Sequence, residues 1–178
     1  MHKEKEKNIY LVGFMASGKS RQGQMLAATL KRPFLDTDAV ITGAHNRTVT
    51  EIFEHYGEPW FRDQEMKTVK LIAENPSQVI ALGGGTPVRD DIWPILKTGH
   101  TIYLHRSESQ LLHQLRKFKN RPLLSGIDSE GMSDYISKML RDREPYYKKA
   151  DHTFYCKNGW SRNETARHLL TFVKKKIL

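Results

Sequence analysis

The apolar run Asn8–Val12 leads directly into Gly13-Phe14-Met15-Ala16-Ser17-Gly18-Lys19-Ser20, which satisfies G-x-x-x-x-G-K-[ST] at every required position. A strand running in and a helix running out are what that pattern demands. A polyphosphate needs several backbone N–H groups converging on one concavity, and Gly13 and Gly18 permit so tight a wrapping. The helix that begins near Lys19 adds the positive end of its dipole. Lys19 is placed to reach the β- and γ-phosphates, and the Ser20 hydroxyl to ligate Mg²⁺. Ala16, Ser17, Gly18 and Arg21 complete the expected nucleotide contacts. The competing explanation is an ordinary strand-to-helix turn that happens to carry a lysine.

The rest of the chain continues the alternation. Short β-type runs at Asn8–Val12, Pro33–Asp36, Gln78–Leu82, Thr101–His105 and Thr153–Cys156 are rich in Ile, Val, Leu, Phe or Tyr. Between them, amphipathic spacing predicts helices over Lys19–Leu30, Glu51–Tyr56, Phe61–Glu74, Ser107–Lys117, Ser133–Arg143 and Arg162–Lys175, with Thr50 as a capped start. Such a pattern implies an α/β fold: a parallel sheet covered on both faces by helices, with ligands beyond the carboxyl ends of the strands. The chain has 178 residues, no repeat and no Pro/Gly/Ser-rich linker, so one domain over residues 1–178 is expected. Residues 1–7 are expected to fray, and a lid is expected at about 113–128.

Composition excludes several classes. Hydrophobic residues are 38% and charged residues 28%, a globular balance. No apolar stretch reaches the roughly 18 residues of a membrane span, so no membrane partner is expected. A charged start followed by the apolar residues 9–16 loosely mimics a secretory leader, but Glu4 and Glu6 sit in it, and cleavage there would destroy the glycine motif. The single Cys156 fits a reducing, cytoplasmic setting. Net charge is +9; residues 1–89 carry 12 basic and 10 acidic groups, residues 90–178 carry 17 and 10. The excess favours anionic partners. No nucleic-acid-binding motif accompanies it, and Lys174–Lys176 suits a solvated helix end, so nucleic acid is not expected.

Two further features follow strands, and a set of arginines joins them. Leu35-Asp36-Thr37-Asp38 places two carboxylates at i and i+2; either they face the strand-end crevice, where one helps hold Mg²⁺ through water and the other meets an acceptor hydroxyl, or an Asp simply caps a helix. Gly83-Gly84-Gly85 is either a plain turn or a loop to which something comes very close. Arg62 can pair with Glu65 at i+3, Arg143 lies near a helix end expected at Pro145, and Arg121 precedes Pro122-Leu123-Leu124 in a lid-like stretch. Each arginine alone is a common surface residue; beside a phosphate cradle they suggest anion clamps.

Together these stretches resemble the shikimate kinase family of small P-loop, nucleoside-monophosphate-kinase-like proteins. The resemblance rests on GFMASGKS at 13–20, LDTD at 35–38, the run from Glu51 to Glu65, GGG at 83–85, RPLL at 121–124 and Arg143–Tyr147. It implies a three-layer α/β/α fold with five parallel strands in order 2-3-1-4-5, and transfer of the ATP γ-phosphoryl group to the 3-hydroxyl of shikimate, giving ADP and shikimate 3-phosphate. On the family pattern Lys19, Asp38 and Arg121 are catalytic. Asp38, Arg62, Gly83, Gly84, Gly85 and Arg143 hold the acceptor, and Ser20 and Asp36 serve Mg²⁺. Ala16, Ser17, Gly18, Lys19, Ser20, Arg21, Arg116 and Arg121 hold the nucleotide, with Arg116 as adenine stacker and Arg162 as a second candidate. Two departures stand out: Ala16 where many relatives carry Gly, and Ala81 where some carry a Ser near Mg²⁺. A monomer is expected. The alternatives are a related kinase acting on gluconate and a nucleotide-binding regulator without catalysis.

Overall fold

The computed structural model of the chain describes residues 6–116 and 129–178. Its sheet has five strands, β1 (Ile9–Val12), β2 (Phe34–Asp36), β3 (Val79–Ala81), β4 (His100–His105) and β5 (His152–Tyr155), in spatial order β2-β3-β1-β4-β5. Every neighbouring pair is parallel. This is the order the family resemblance implies, and it places β1 at the centre with β3 and β4 on either side.

Period-two alternation sorts the strand residues onto two cores. Ile9, Leu11, Val79, Ile102, Leu104 and Phe154 face Leu26 and Ala27 of α1 (Lys19–Leu30) and Leu169 and Val173 of α7 (Arg162–Lys176). Tyr10, Val12, Ile80, Leu82 and Tyr103 face the other way. There they meet Met66, Val69 and Ile72 of α3 (Val49–Ala73), Trp93 and Leu96 of α4 (Trp93–Leu96), Leu111 and Leu115 of α5 (Glu108–Leu115) and Ile136 of α6 (Ser129–Tyr147). All four residues of β1 are fully buried. A strand covered on both faces reads as an unbroken apolar run, which is why Ile9–Val12 shows no polar alternation.

Helix limits differ from expectation in four places, each for a local reason. Thr48, not Thr50, caps α3: its hydroxyl accepts from the Glu51 N–H at 3.2 Å while the Glu51 carboxylate accepts from the Thr48 N–H at 2.7 Å. This reciprocal pair fixes the start two residues earlier than a cap placed directly beside Glu51. The expected helices 51–56 and 61–74 are joined as α3, with the break between them preserved as a kink at Gly57 (φ 81°, ψ 160°). Pro145 does not end α6, which runs on to Tyr147. A helix absent from the sequence reading, α2 (Thr37–His45), starts immediately after β2. Ile41, Ile52 and Phe61 close a small third core between α2 and α3, which sets this helical corner against the β2 edge of the sheet.

Arg121, RPLL at 121–124 and most of the expected lid lie outside the described residues; of the lid span, 113–115 end α5 and Arg116 caps it. Glu6 and Lys7, grouped with the fraying start, are hydrogen-bonded: Glu6 accepts from Arg32 at 2.5 Å and the Lys7 carbonyl from Arg32 at 3.2 Å. None of the described helices is long and apolar enough to cross a membrane.

The Gly57 kink generates a stability prediction. At φ 81° and ψ 160° only glycine is at ease, so Gly57→Ala is expected to cost about 1–3 kcal/mol. Urea unfolding monitored by circular dichroism should show a lower midpoint at unchanged slope; an unaltered midpoint would mean the kink carries no strain.

Candidate active site

The loops that leave β1, β2 and β3 meet in one cleft of about 370 Å³, lined among others by Ala16, Gly18, Lys19, Ser20, Arg21, Asp36, Asp38, Gly83 and Gly84. This is the carboxyl end of the sheet, where parallel topology places ligands.

At the β1 side, the 13–20 loop wraps as its motif requires. Gly13 and Gly18 take positive φ (143° and 95°), and Ala16 joins them at φ 61°. A Cβ in that region costs roughly 1–2 kcal/mol, so the alanine is a strained residue held by its neighbours. The Ser17 N–H closes the turn on the Phe14 carbonyl at 3.2 Å. Lys19 is buried, and its ammonium donates to the carbonyls of Gly13 (2.9 Å) and Phe14 (2.8 Å). Its charge is thereby folded back over the concavity. Gly18 caps α1, so the helix N-terminus opens onto the same space.

At the β2 side, the capping reading holds, and both carboxylates also line the strand-end cleft. Asp36 caps α2, its Oδ1 accepting from the N–H of Asp38 (3.0 Å) and Ala39 (3.2 Å). It also lines the cleft with Ser20. Ala81 pairs with Asp36 in register across β3 and brings no hydroxyl to it. Ser20 and Asp36 supply the hard oxygens that suit Mg²⁺, an ion that keeps waters and phosphate oxygens and needs few protein ligands.

Asp38 stands apart. Its Oδ1 is buried with no hydrogen-bond partner among the described residues. Burial, reinforced by the nearby carboxylates of Glu65 and Asp36, raises its pKa from the usual 3.8 to about 6, against the lowering influence of Lys19 and Arg62. A carboxylate poised this close to neutrality, in a cleft beside a phosphate cradle, has the properties of a proton acceptor.

The triple glycine is a close-approach loop. A Cβ on Gly83 would lie 2.4 Å from Asp38 Oδ1 and 2.7 Å from Glu65 Oε1; one on Gly85 would lie 2.4 Å from Arg62 Nη1; one on Gly84 would lie 3.1 Å from the Met15 amide. The bare backbone thus fills the space between the cradle, Asp38 and Arg62. Its position is fixed by two hydroxyls: Thr37 Oγ1 accepts from the Gly83 N–H at 2.9 Å, and Tyr147 donates to the Gly84 carbonyl at 2.6 Å.

Two of the expected arginines gather at that loop. Arg62 donates to Glu65 at 2.7 Å, the i+3 pair the sequence suggests, and through Nε and Nη2 to Glu58 at 3.1 and 2.6 Å. Glu65 is buried and also accepts from the Thr86 hydroxyl. Arg143 lies 5.9 Å above the Phe14 ring, and its charge tempers the rise that burial imposes on the Tyr147 phenol. Arg116 is not among the residues lining the cleft or the hollow beside it. It sits exposed at the C-cap of α5, one helical position past the side that faces inward. Gln114, Trp160 and Arg162 line the cleft, so of the two adenine candidates Arg162 is placed there and Arg116 is not.

Sequence reasoning missed Thr37, Thr86, Arg106, Gln114 and Trp160. Thr37 lies inside the quoted LDTD and Trp160 just before a capping box, but a lone Thr or Trp carries no spacing signal. Only the three-dimensional packing singles them out.

The family model described as shikimate kinase matches residues 15–174. A shikimate kinase of Thermodesulfovibrio yellowstonii is 41% identical over 146 residues, 82% of this chain and 83% of that one. The structure of the Acinetobacter baumannii shikimate kinase in complex with shikimate superposes with a TM-score of 0.84 at 31% identity, covering 97% of this chain and 96% of that one. A gluconokinase from Sinorhizobium meliloti shares the fold alone, at 17% identity and a TM-score of 0.60, over 98% of this chain and 95% of that one.

The Asp38 shift carries a stability prediction. A carboxyl whose folded-state pKa lies above its unfolded one binds its proton more tightly when folded, so stability falls as pH rises from 3.8 through about 6. At pH 7 the ionised group opposes folding, and Asp38→Asn is expected to raise stability by about 1–3 kcal/mol. Thermal melts of both proteins at pH 7 and pH 4.5 test this: the gain should shrink at the lower pH, and a variant less stable than its parent at pH 7 would refute it.

Proposed function

We propose that the chain, which belongs to the shikimate kinase family, phosphorylates the 3-hydroxyl of shikimate at the expense of ATP. The single observation that carries the chemistry is the meeting of a buried, partnerless Asp38 oxygen with the phosphate cradle and the Gly83–Gly85 backbone in one cleft.

Phosphoryl transfer asks little covalent chemistry of a protein; in-line positioning and charge neutralisation are the main demands. The cradle amides and Lys19 bind the phosphate chain. Lys19 exchanges two neutral carbonyls for anionic oxygens, a gain because charge-assisted hydrogen bonds are about twice as strong as neutral ones. Ala16, Ser17, Gly18, Ser20 and Arg21 complete that contact. Ser20 and Asp36 would hold Mg²⁺, which when bound neutralises charge on the phosphoryl oxygens. Asp38 orients the attacking hydroxyl and accepts its proton. Arg62 and Arg143 flank the triple-glycine loop and hold the acceptor's carboxylate, a group for which planar guanidinium forks are suited. Arg121 is assigned to a lid over about 113–128 that closes on the phosphates.

The relatives that carry shikimate kinase names match at far higher identity than the gluconokinase, which favours shikimate over gluconate as acceptor. Lys19, Ser20 and Asp38 in one cleft argue against a regulator without catalysis. A lone buried thiol and the lack of a spanning helix among the described residues support a cytoplasmic setting.

An ATP-coupled assay with Mg²⁺ and a panel of acceptors tests the reading: shikimate should be turned over and gluconate should not, and Lys19→Ala should abolish turnover. Activity on gluconate alone would overturn it. The profile of kcat/KM for shikimate should lose activity below about pH 6 as Asp38 protonates, and Asp38→Asn should remove most of kcat at all pH values.

Gly85→Ala should raise KM for shikimate by about tenfold or more, because its Cβ displaces the Arg62 guanidinium 2.4 Å away. Equal KM values for the two proteins would remove Arg62 from the acceptor site.

A further inference from the structure

The first residue after β4, Arg106, belongs to none of the motifs above, yet it holds the phosphate cradle from outside. Its Nε donates to the Ser17 carbonyl at 2.8 Å across 89 positions of sequence. Its Nη2 lies 4.0 Å from where a Gly18 Cβ would be, so the guanidinium rests against the turn that opens α1. Arg106 lines the main cleft with Lys19, Ser20 and Arg21. It also lines an adjoining hollow with His113, Gln114, Lys157 and Trp160. Gln114 and Trp160 are shared by the two spaces, which makes Arg106 part of the neck between them.

The charge balance at that neck is the second observation. Among the described residues Arg106 has no carboxylate partner, and its two terminal NH₂ groups make no hydrogen bond. The contrast with Arg62, whose fork is filled by Glu58 and Glu65, is direct. Arg106 is half-buried, so an unpaired guanidinium there is partly desolvated without a counter-ion. A planar fork with two free NH₂ groups matches a phosphate, and the phosphate chain of a nucleotide di- or triphosphate has the length and charge to pass from the cradle through this neck toward the hollow.

We propose that Arg106 is a further nucleotide-binding residue: Nε fixes the Ser17 carbonyl, and the terminal NH₂ groups hold the phosphate chain where it leaves the cradle toward the base. This rests on the reading of the cleft as an ATP site. Arg106 thereby couples the shape of the cradle to its occupancy, since one guanidinium bonds both the loop and the ligand.

Calorimetric titration of ADP and of adenosine into the wild-type chain, Arg106→Gln and Arg106→Lys separates the possibilities. Arg106→Gln should weaken ADP by about tenfold or more, the loss expected of charged hydrogen bonds, while adenosine affinity and KM for shikimate change by less than about twofold. Arg106→Lys keeps the charge but cannot hold the carbonyl and a phosphate at once, so it should lose ADP affinity by an intermediate factor. It carries the same test should the glutamine variant fail to fold. Unchanged ADP affinity in the folded variants would overturn the proposal, as would equal losses for ADP and adenosine. Wild-type protein that binds no ADP would instead sink the ATP-site reading itself.

Discussion

The arrangement of the site depends on a stretch of backbone that carries no side chains. Gly83–Gly85 lies so close to Asp38, Glu65, Arg62 and the Met15 amide that three of its would-be Cβ positions fall between 2.4 and 3.1 Å from other atoms. A parallel sheet brings three strand ends to one edge, but it does not decide how closely the loops beyond them approach. Here that distance is set by the missing side chains. The entropy cost of three adjacent glycines is offset by anchoring at both ends of the loop, through Thr37 and Tyr147. Tyr147 links the loop in turn to Arg143, so α6 and the β3 loop hold their arginine and their backbone in one relation.

That closeness explains the unusual state of Asp38. Three carboxylates, Asp36, Asp38 and Glu65, crowd a space that is largely shut off from water. The positive charges of Lys19 and Arg62 answer them only in part, because Lys19 is turned onto carbonyls and Arg62 is shared with Glu58. Asp36 spends one oxygen on capping α2 and Glu65 is saturated by Arg62 and Thr86, which leaves Asp38 as the one of the three with a partnerless buried oxygen. The site therefore concentrates its electrostatic strain on the one of the three carboxylates whose buried oxygen has no partner among the described residues. Strain of this kind persists only where surrounding structure fixes it.

Much of this was legible in the sequence, and the physical reasons differ by feature. The cradle was readable because its chemistry demands glycine, lysine and hydroxyl at fixed spacing along one loop. The strands were readable because burial on both faces leaves continuous apolar runs. The i+3 pairing of Arg62 with Glu65 followed from helical geometry. What lay hidden was decided by tertiary contact. The cap of α3 moved to Thr48 because a reciprocal pair with Glu51 outweighs simple adjacency. Pro145 is carried inside α6, whose inner face is held by Ile136 and Tyr147 in the core. Helix α2 went unassigned although an Asp cap was one of the two readings of Asp36-Thr37-Asp38, because the nine residues Thr37–His45 carry too few apolar positions to show a helical period. Helix phase turns Gln114 toward the cleft and leaves Arg116 exposed at the end of α5, a difference that the order of residues along the chain does not show.

The two halves of the cleft keep their cations in different ways, and the difference bears on selectivity. On the nucleotide side Lys19 and Arg106 rest on neutral carbonyls, of Gly13, Phe14 and Ser17. On the proposed reading, a phosphate that reaches Arg106 would bring it a counter-charge in place of a neutral carbonyl alone, so binding there would gain electrostatically. On the acceptor side Arg62 already holds two carboxylates. A substrate carboxylate can take the place of the solvent-exposed Glu58 but gains no net charge pairing by doing so. Its advantage must come from fit: hydroxyls that reach Asp38 and a ring that lies against bare glycine backbone. On the proposed reading, affinity for the phosphate donor draws on charge and discrimination among acceptors on shape, because Arg62 is already held by two carboxylates whereas Arg106 rests on a carbonyl.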